Sequence, residues 1–203
     1  MSDRPHYIER PQLTPLTGDD SLTLNGEPLR GSEIHKFWRW AFSSPNSNTL
    51  RGDLMEWAVA HLLKIPPVGR VDWAEYDLLH GAKRIQVKQS SYLQGWDQRR
   101  VGKPRFGGLF VTAWDPDTNR LLERGYHCDW YVFALLESTD AKLWNPLALE
   151  QWCFYVVPRS TLMKHCFKSV GISTLNRLAG NKEADKLTAA EFGERGRAIM
   201  GLE

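Results

Sequence analysis

Residues 73–88 read Trp73-Ala74-Glu75-Tyr76-Asp77-Leu78-Leu79-His80-Gly81-Ala82-Lys83-Arg84-Ile85-Gln86-Val87-Lys88. Here the hydrophobic period of the chain becomes two. Tyr76, Leu78, Ile85 and Val87 alternate with Glu75, Asp77, Gln86 and Lys88, a β-hairpin pattern. With Gly81-Ala82 as the turn, paired residue numbers sum to 163, and glycine at the first turn position suits a type II′ turn. Tyr76 then faces Val87 and Leu78 faces Ile85 on an apolar side. Asp77 stands opposite Gln86, and Glu75 opposite Lys88, on a polar side where opposed Cβ atoms lie roughly 4.5–5.5 Å apart. Gln86 and Lys88, two apart on one strand, share that side.

Upstream, Leu50, Leu54, Trp57, Ala58 and Leu62 recur at helical spacing. This predicts a helix capped by Asn48 or Thr49 and stopped before Pro66-Pro67. A shorter helix after Ser32 carries Ile34, Phe37, Trp38 and Ala41. Downstream, Trp130–Leu136 and Trp152–Val157 are apolar at consecutive positions, as central strands covered on both faces are, and Leu109–Ala113 is a weaker strand signal. Ser173 is a candidate cap for Thr174–Ala179, and Thr188-Ala189-Ala190-Glu191 has the capping-box form opening a helix toward Met200. The order helix, mixed sheet, helices predicts an α/β (α+β) domain. Residues 1–31 read as an extended N-terminal arm, 32–158 as the core and 159–203 as a helical C-terminal extension packed on it.

The 203 residues fit one domain. No run of 18 apolar residues exists to cross a membrane, and the polar start, Met1–Gln12, lacks a secretory core. Cys128, Cys153 and Cys166 are odd in number and widely spaced, which argues against a zinc ribbon or a disulfide framework. A reduced, cytoplasmic protein with buried thiols is expected. Most of the nine tryptophans are expected in the core. The net charge of +2 excludes a globally basic nucleic-acid binder.

The polar side of the hairpin has a chemical logic. Asp77 is a hard oxygen ligand suited to magnesium, the Gln86 amide oxygen adds a neutral ligand, and Lys88 can hold a water or stabilise charge developing on a phosphate. Glu56, at the border of the preceding helix's apolar face, is the natural second carboxylate. Glu75 and Asp72 are alternatives with poorer geometry. The bland alternative is a surface ion pair between Glu75 and Lys88, worth ~0.2–1 kcal/mol.

Glu56, then Asp77, then Gln86-Val87-Lys88 resembles the PD-(D/E)XK nuclease superfamily, in its Gln-x-Lys form. Asn48-Thr49-x-Arg51-Gly52, Tyr92-Leu93-Gln94-x-Trp96-x-Gln98, Asp129–Phe133 and Trp152–Val156 are similar to one group of small bacterial proteins within it. The resemblance covers about residues 48–158. It implies a restriction-endonuclease-like mixed central sheet of four to five strands flanked by helices. It also implies a magnesium-dependent endonuclease, with manganese as a substitute ion, hydrolysing DNA phosphodiesters in defence, restriction or repair. By that analogy Asp77 is the central metal ligand, Gln86 and Glu56 are accessory ligands, Val87 adds its carbonyl, and Lys88 positions the water. Many nucleases of this fold act as homodimers, but no dimer interface is legible in the sequence. Two departures stand out: Tyr76 replaces the usual proline before Asp77, and Gln86 replaces the more frequent Glu.

Between Lys83 and Arg105 stand seven basic residues against the single acid Asp97, a local excess of +6. Arg99, Arg100, Lys103 and Arg105 are candidate phosphate contacts, and Gln94 a candidate base reader. Arg51 is assigned to a phosphate or to a carboxylate of the site. Tyr92, Trp96 and Phe106 lie among these residues, with Trp96 expected to pack rather than to stack on a base. Two alternatives to the nuclease stay open: a DNA-binding module of the same fold without catalysis, and a protein-interaction subunit of a defence complex.

Overall fold

The computed structural model describes residues 14–66, 74–115 and 120–203. The chain divides between Ser43 and Ser44 into two units. In the first, β1 (Ser21–Leu24) and β2 (Glu27–Glu33) pair antiparallel. Their turn is Asn25-Gly26, both at positive φ, as a type I′ hairpin requires. Helix α1 (Ile34–Ala41) follows directly, and of its expected apolar stripe only Ile34 is buried. The arm expected over 1–31 is therefore a hairpin over its described part, and α1 belongs with it rather than with the core. The Asn25-Gly26 dipeptide was the signal for this. Residues 1–13 lie outside the described residues.

The second unit contains α2 (Asn48–Leu62), β3 (Leu78–His80), β4 (Lys83–Ser91), β5 (Arg105–Phe106), β6 (Trp114–Asp115) and β7 (Arg120–Leu121). It continues with β8 (Trp130–Leu136), β9 (Trp152–Pro158), α3 (Arg159–Lys164), β10 (Val170–Gly171), α4 (Ile172–Gly180), β11 (Asp185–Thr188) and α5 (Ala189–Met200). Five strands form one mixed sheet in the order β11-β9-β8-β4-β3. The β4–β8 pair is parallel and the others are antiparallel. This is an α+β fold with a mixed five-stranded sheet between helices. Residues 159–203 are less helical than expected, because β11 completes the sheet against β9.

The consecutive apolar runs sit where two-faced burial demands them. In β8 one set, Val132, Ala134 and Leu136, joins Ile85, Val87, Phe154 and Val156 beneath α2 and α5. The alternate set, Tyr131, Phe133 and Leu135, joins Tyr155, Val157 and residues of α3 and α4 on the other face. Full burial of each such side chain contributes about 1.5–3 kcal/mol relative to exposure, so the two layers fix the sheet.

Several local expectations are corrected. The helix α2 is capped by Ser47, whose Oγ accepts the Leu50 N–H, rather than by Asn48 or Thr49. Its buried stripe runs through Arg51, Met55, Ala58 and Val59, while Trp57 is exposed. Apolar residues lie nearly all round this helix, so spacing alone did not choose the face. Leu109–Ala113 forms no strand; Val111 makes only an isolated bridge to Gly125. Helix α4 starts at Ile172 behind Gly171, ahead of Ser173. Cys166 is exposed, unlike Cys128 and Cys153. Trp38, Trp40, Trp57 and Trp96 are also exposed, and of the eight described tryptophans only Trp152 is fully buried. The Thr188–Glu191 capping box is present as read.

Candidate active site

The β3–β4 hairpin has the register read from the sequence: Leu78 pairs with Ile85, Leu79 with Arg84 and His80 with Lys83. Gly81 takes the positive φ of a first turn residue. The strand pairing then stops at Leu78, three residues earlier than the alternation suggested. Asp77 donates its N–H to the Ile85 carbonyl at 3.1 Å, but its side chain takes over the next position. Asp77 Oδ2 accepts the Val87 N–H at 2.7 Å and also a hydrogen bond from Gln86 Nε2. A short carboxylate thus replaces a ladder carbonyl, the competition with regular structure that Asp is suited to.

Beyond that break the strict alternation lapses. Tyr76 packs against the second core layer, the one that holds Tyr131 and Phe133, not with Leu78 and Ile85 as the strict alternation required. Arg84 lies over its ring at 5.9 Å. Glu75 is 9% exposed and pairs with Arg84 at 2.9 Å, so the expected Glu75–Lys88 pair is not formed. Asp72 lies outside the described residues.

Gln86 and Lys88 register with Tyr131 and Phe133, on the face away from Ile85 and Val87. Asp77 joins them through its bond to Gln86. Lys88 is half-buried and makes no hydrogen bond or ion pair among the described residues. In a strand the N–H and carbonyl of one residue point to the same edge. Since the Val87 N–H points to Asp77, the Val87 carbonyl faces the same open edge, where β3 has ended. Glu56 is half-buried on α2, whose neighbouring Met55, Ala58 and Val59 cover the opposite, Ile85–Val87 face.

Sequence reasoning gave Cys128 no place here. Its buried Sγ donates to the Glu75 carbonyl at 3.2 Å and lies 4.0 Å from Gln86 Oε1. Burial pushes this thiol well above its ordinary range, and the carboxylates of Asp77, Glu75 and Asp129 add to that while Lys88 opposes it. All four charges act on one sulfur, which marks them as a single electrostatic neighbourhood. Only the long-range pairing of β4 with β8 brings Cys128 there, and no local signal announces it. Asp129, left undecided by the sequence, is a clamp: Oδ2 accepts the Arg84 N–H at 3.0 Å and Oδ1 lies 3.4 Å from Arg159.

The candidate nucleic-acid contacts divide in two. Arg51 is 1% exposed and cannot reach a phosphate from there. Its guanidinium donates to the carbonyls of Pro45 and Asn46, to Asn48 Oδ1 and to Gln94 Oε1, and lies 5.4 Å from the centre of the Trp144 ring. Gln94 is spent on that bond and on donation to the Ser91 carbonyl. Arg51 and Gln94 are therefore an internal fastening, which corrects both assignments. Phe106 is core, edge-on to Phe133. Arg99, Arg100, Lys103 and Arg105 are exposed, and Arg105 is held by Ser169 Oγ at 2.6 Å.

What could hold a metal here is a set of hard oxygen donors: Asp77, the Gln86 amide and the Val87 carbonyl. No three His, Cys, Asp or Glu side chains group in metal-binding fashion among the described residues. One carboxylate with an amide and a peptide oxygen is not of that kind. Two clefts of about 790 and 320 Å³ open elsewhere, beside Trp152 and Leu187 and beside Trp130 and Ile199, and neither is lined by Asp77, Gln86 or Lys88. Among the described residues no helix is long and apolar enough to cross a membrane. Comparison of the chain with family models, with curated proteins and with solved structures finds no match in any of the three.

Proposed function

We propose that the chain is a metal-dependent deoxyribonuclease of the PD-(D/E)XK type, with Asp77, Gln86 and Lys88 at its centre. The observation that carries this reading is the Asp77–Gln86 contact at the point where β3 leaves β4, with Lys88 on the same strand face as Gln86 and the Val87 carbonyl on the adjoining strand edge. The donors fit a hard divalent cation such as magnesium or manganese, provided the Gln86 amide turns its oxygen toward Asp77. Glu56, on the helix that covers the opposite face of the sheet, is left out of this donor set. A bound magnesium supplies Lewis acidity at a phosphoryl oxygen and acidifies a coordinated water. Lys88 contributes an ammonium that can hydrogen-bond the attacking water and offset charge growing on the phosphate. Arg99, Arg100, Lys103 and Arg105 supply phosphate attraction beyond β4.

A second reading is favoured by one specific contact. Gln86 is a neutral amide where a carboxylate would draw a cation more strongly, and its nitrogen donates to the Asp77 carboxylate. A DNA-binding module without catalysis would have this arrangement. Incubating the wild-type chain with single-stranded, duplex and methylated DNA in magnesium and in manganese separates the two. Cleavage that Asp77→Asn and Lys88→Ala each abolish supports the nuclease. Salt-sensitive binding with no cleavage of any substrate selects the second reading, and equal cleavage by wild type and both variants removes the first.

A further inference from the structure

Residues 92–102 form a loop whose shape is set from within. The Gln94 N–H donates to Gln98 Oε1 at 2.7 Å, and the Gly102 N–H donates to the Tyr92 carbonyl at 2.9 Å. Gln98 Nε2 donates to the same carbonyl at 3.3 Å. Gly95 lies so close to Asn46 that a Cβ there would sit 2.5 Å from the Asn46 carbonyl oxygen. Buried Arg51 holds that same carbonyl at 2.9 Å together with Gln94 Oε1. The loop is therefore fastened at several points along its length.

On this fastened loop Trp96 stands 61% exposed. A large indole left in water forgoes burial worth several times that of a small side chain, and a fixed loop gives it no alternative site in the core. Within the next seven residues of the chain Arg99, Arg100 and Lys103 are exposed and enter no hydrogen bond or ion pair among the described residues; Asp97 is the one acid of the loop. Rigid exposed aromatics amid unpaired cations suit nucleic acid, with cations meeting phosphates and the ring meeting a base. In a duplex the base faces are covered by their neighbours, so a ring can stack only where a base is unpaired.

We propose that Trp96 is a stacking platform for an unpaired nucleobase, flanked by phosphate contacts from Arg99 and Arg100, and that the substrate class is single-stranded or locally unpaired DNA. This rests on the nuclease reading for the identity of the polymer, not for the binding itself.

The test uses the full chain in EDTA and the anisotropy of a fluorescein-labelled DNA oligonucleotide, single-stranded, in duplex, and as RNA of the same sequence. Single-stranded DNA is expected to bind more tightly than duplex or RNA. Trp96→Ala should weaken single-strand binding about 5- to 100-fold and duplex binding hardly at all. Trp96→Tyr should restore much of the loss, whereas Arg99→Ala with Arg100→Ala should weaken both forms and flatten the salt dependence. Because Trp96 is exposed, its variants should keep the thermal midpoint of the wild type. Equal losses on single strand and duplex, a Tyr variant as weak as Ala, or absence of single-strand binding would overturn the proposal; preference for RNA would overturn the assignment to DNA. Should the chain cut no DNA in any metal, these ratios still stand or fall by themselves. Should the ratios fail, cleavage by wild type and its loss in Asp77→Asn are unaffected.

Discussion

Asp77 Oδ2 accepts the backbone N–H of Val87 at 2.7 Å, so a side chain completes the hydrogen bonding of β4 where β3 has already stopped. The same oxygen takes a bond from Gln86 Nε2. Bonds to a charged acceptor contribute more than neutral ones. Asp77→Ala should therefore lower unfolding free energy by about 1.5–3 kcal/mol in urea titrations. Asp77→Asn, which keeps one oxygen acceptor, should lose less than half of that. If the nuclease proposal holds, both should lose cleavage by about 100-fold or more, so stability and activity part company in the Asn variant.

Arg51 is the most buried cation described, and burial holds its guanidinium below the ordinary arginine range. Its bonds go to carbonyl and amide oxygens, and its Nε finds no partner among the described residues. Arg51→Ala should cost about 2–4 kcal/mol by urea unfolding, since it strands several acceptors and uncovers Trp144. Arg51→Lys should recover less than half, because one ammonium cannot span Asn46 and Gln94 as a planar fork does. A loss under ~0.5 kcal/mol in Arg51→Ala would show that the fastening is redundant.

How far the sequence was legible followed the range of the interaction. The β3–β4 register was readable because its turn and its alternation are local, and Leu78 does pair with Ile85. The strands β8 and β9 were readable because two-sided burial leaves an unbroken apolar run. What failed depended on partners distant in the chain. Arg51 looked like a phosphate ligand until the loop at Gln94 folded onto it, and Cys128 had no visible role until β8 paired with β4. Tyr76 changed face because the Asp77 side chain, rather than its backbone, continued the pairing.

The three thiols should differ sharply in reactivity. Burial raises Cys128 far above the ordinary thiol range and pushes Cys153 up to about 12, whereas Cys166 is exposed. The thiolate is the reactive form. Iodoacetamide at mildly alkaline pH should modify Cys166 alone in the native chain and all three in guanidinium, read as adduct mass. Early labelling of Cys128 would show that the region around Asp77 opens in solution.

Acid should weaken one tie between α3 and the start of β11. Glu183 Oε2 accepts from His165 Nε2 at 2.7 Å and from Lys164 Nζ at 3.0 Å, and these bonds, His165 first, hold its carboxyl below its ordinary value of 4.5. A depressed carboxylate stabilises the fold above its unfolded pKa and stops doing so as pH falls through the folded one. Glu183→Gln should therefore lower the thermal midpoint near neutral pH, with the gap narrowing below 4.5 and closing once the carboxyl is protonated in both states. An unchanged gap in acid would assign the effect to geometry rather than to charge.

Gln86→Glu places a second carboxylate where an amide now donates to Asp77. Without a cation, the new oxygen has no hydrogen to give, so acceptor faces acceptor and like charges meet at close range. The variant should accordingly unfold at lower temperature than wild type in EDTA. A divalent cation removes that repulsion and is drawn by the added charge, and anything that binds only the folded form raises the midpoint by mass action. Titrating magnesium should thus raise the midpoint of Gln86→Glu more steeply than that of wild type. If the nuclease proposal is right, the wild type also responds, but at higher magnesium, since one carboxylate fewer attracts the ion. A midpoint in both proteins that is indifferent to magnesium and to manganese would mean that Asp77 and residue 86 hold no metal, leaving Gln86 as the fixed partner of Asp77.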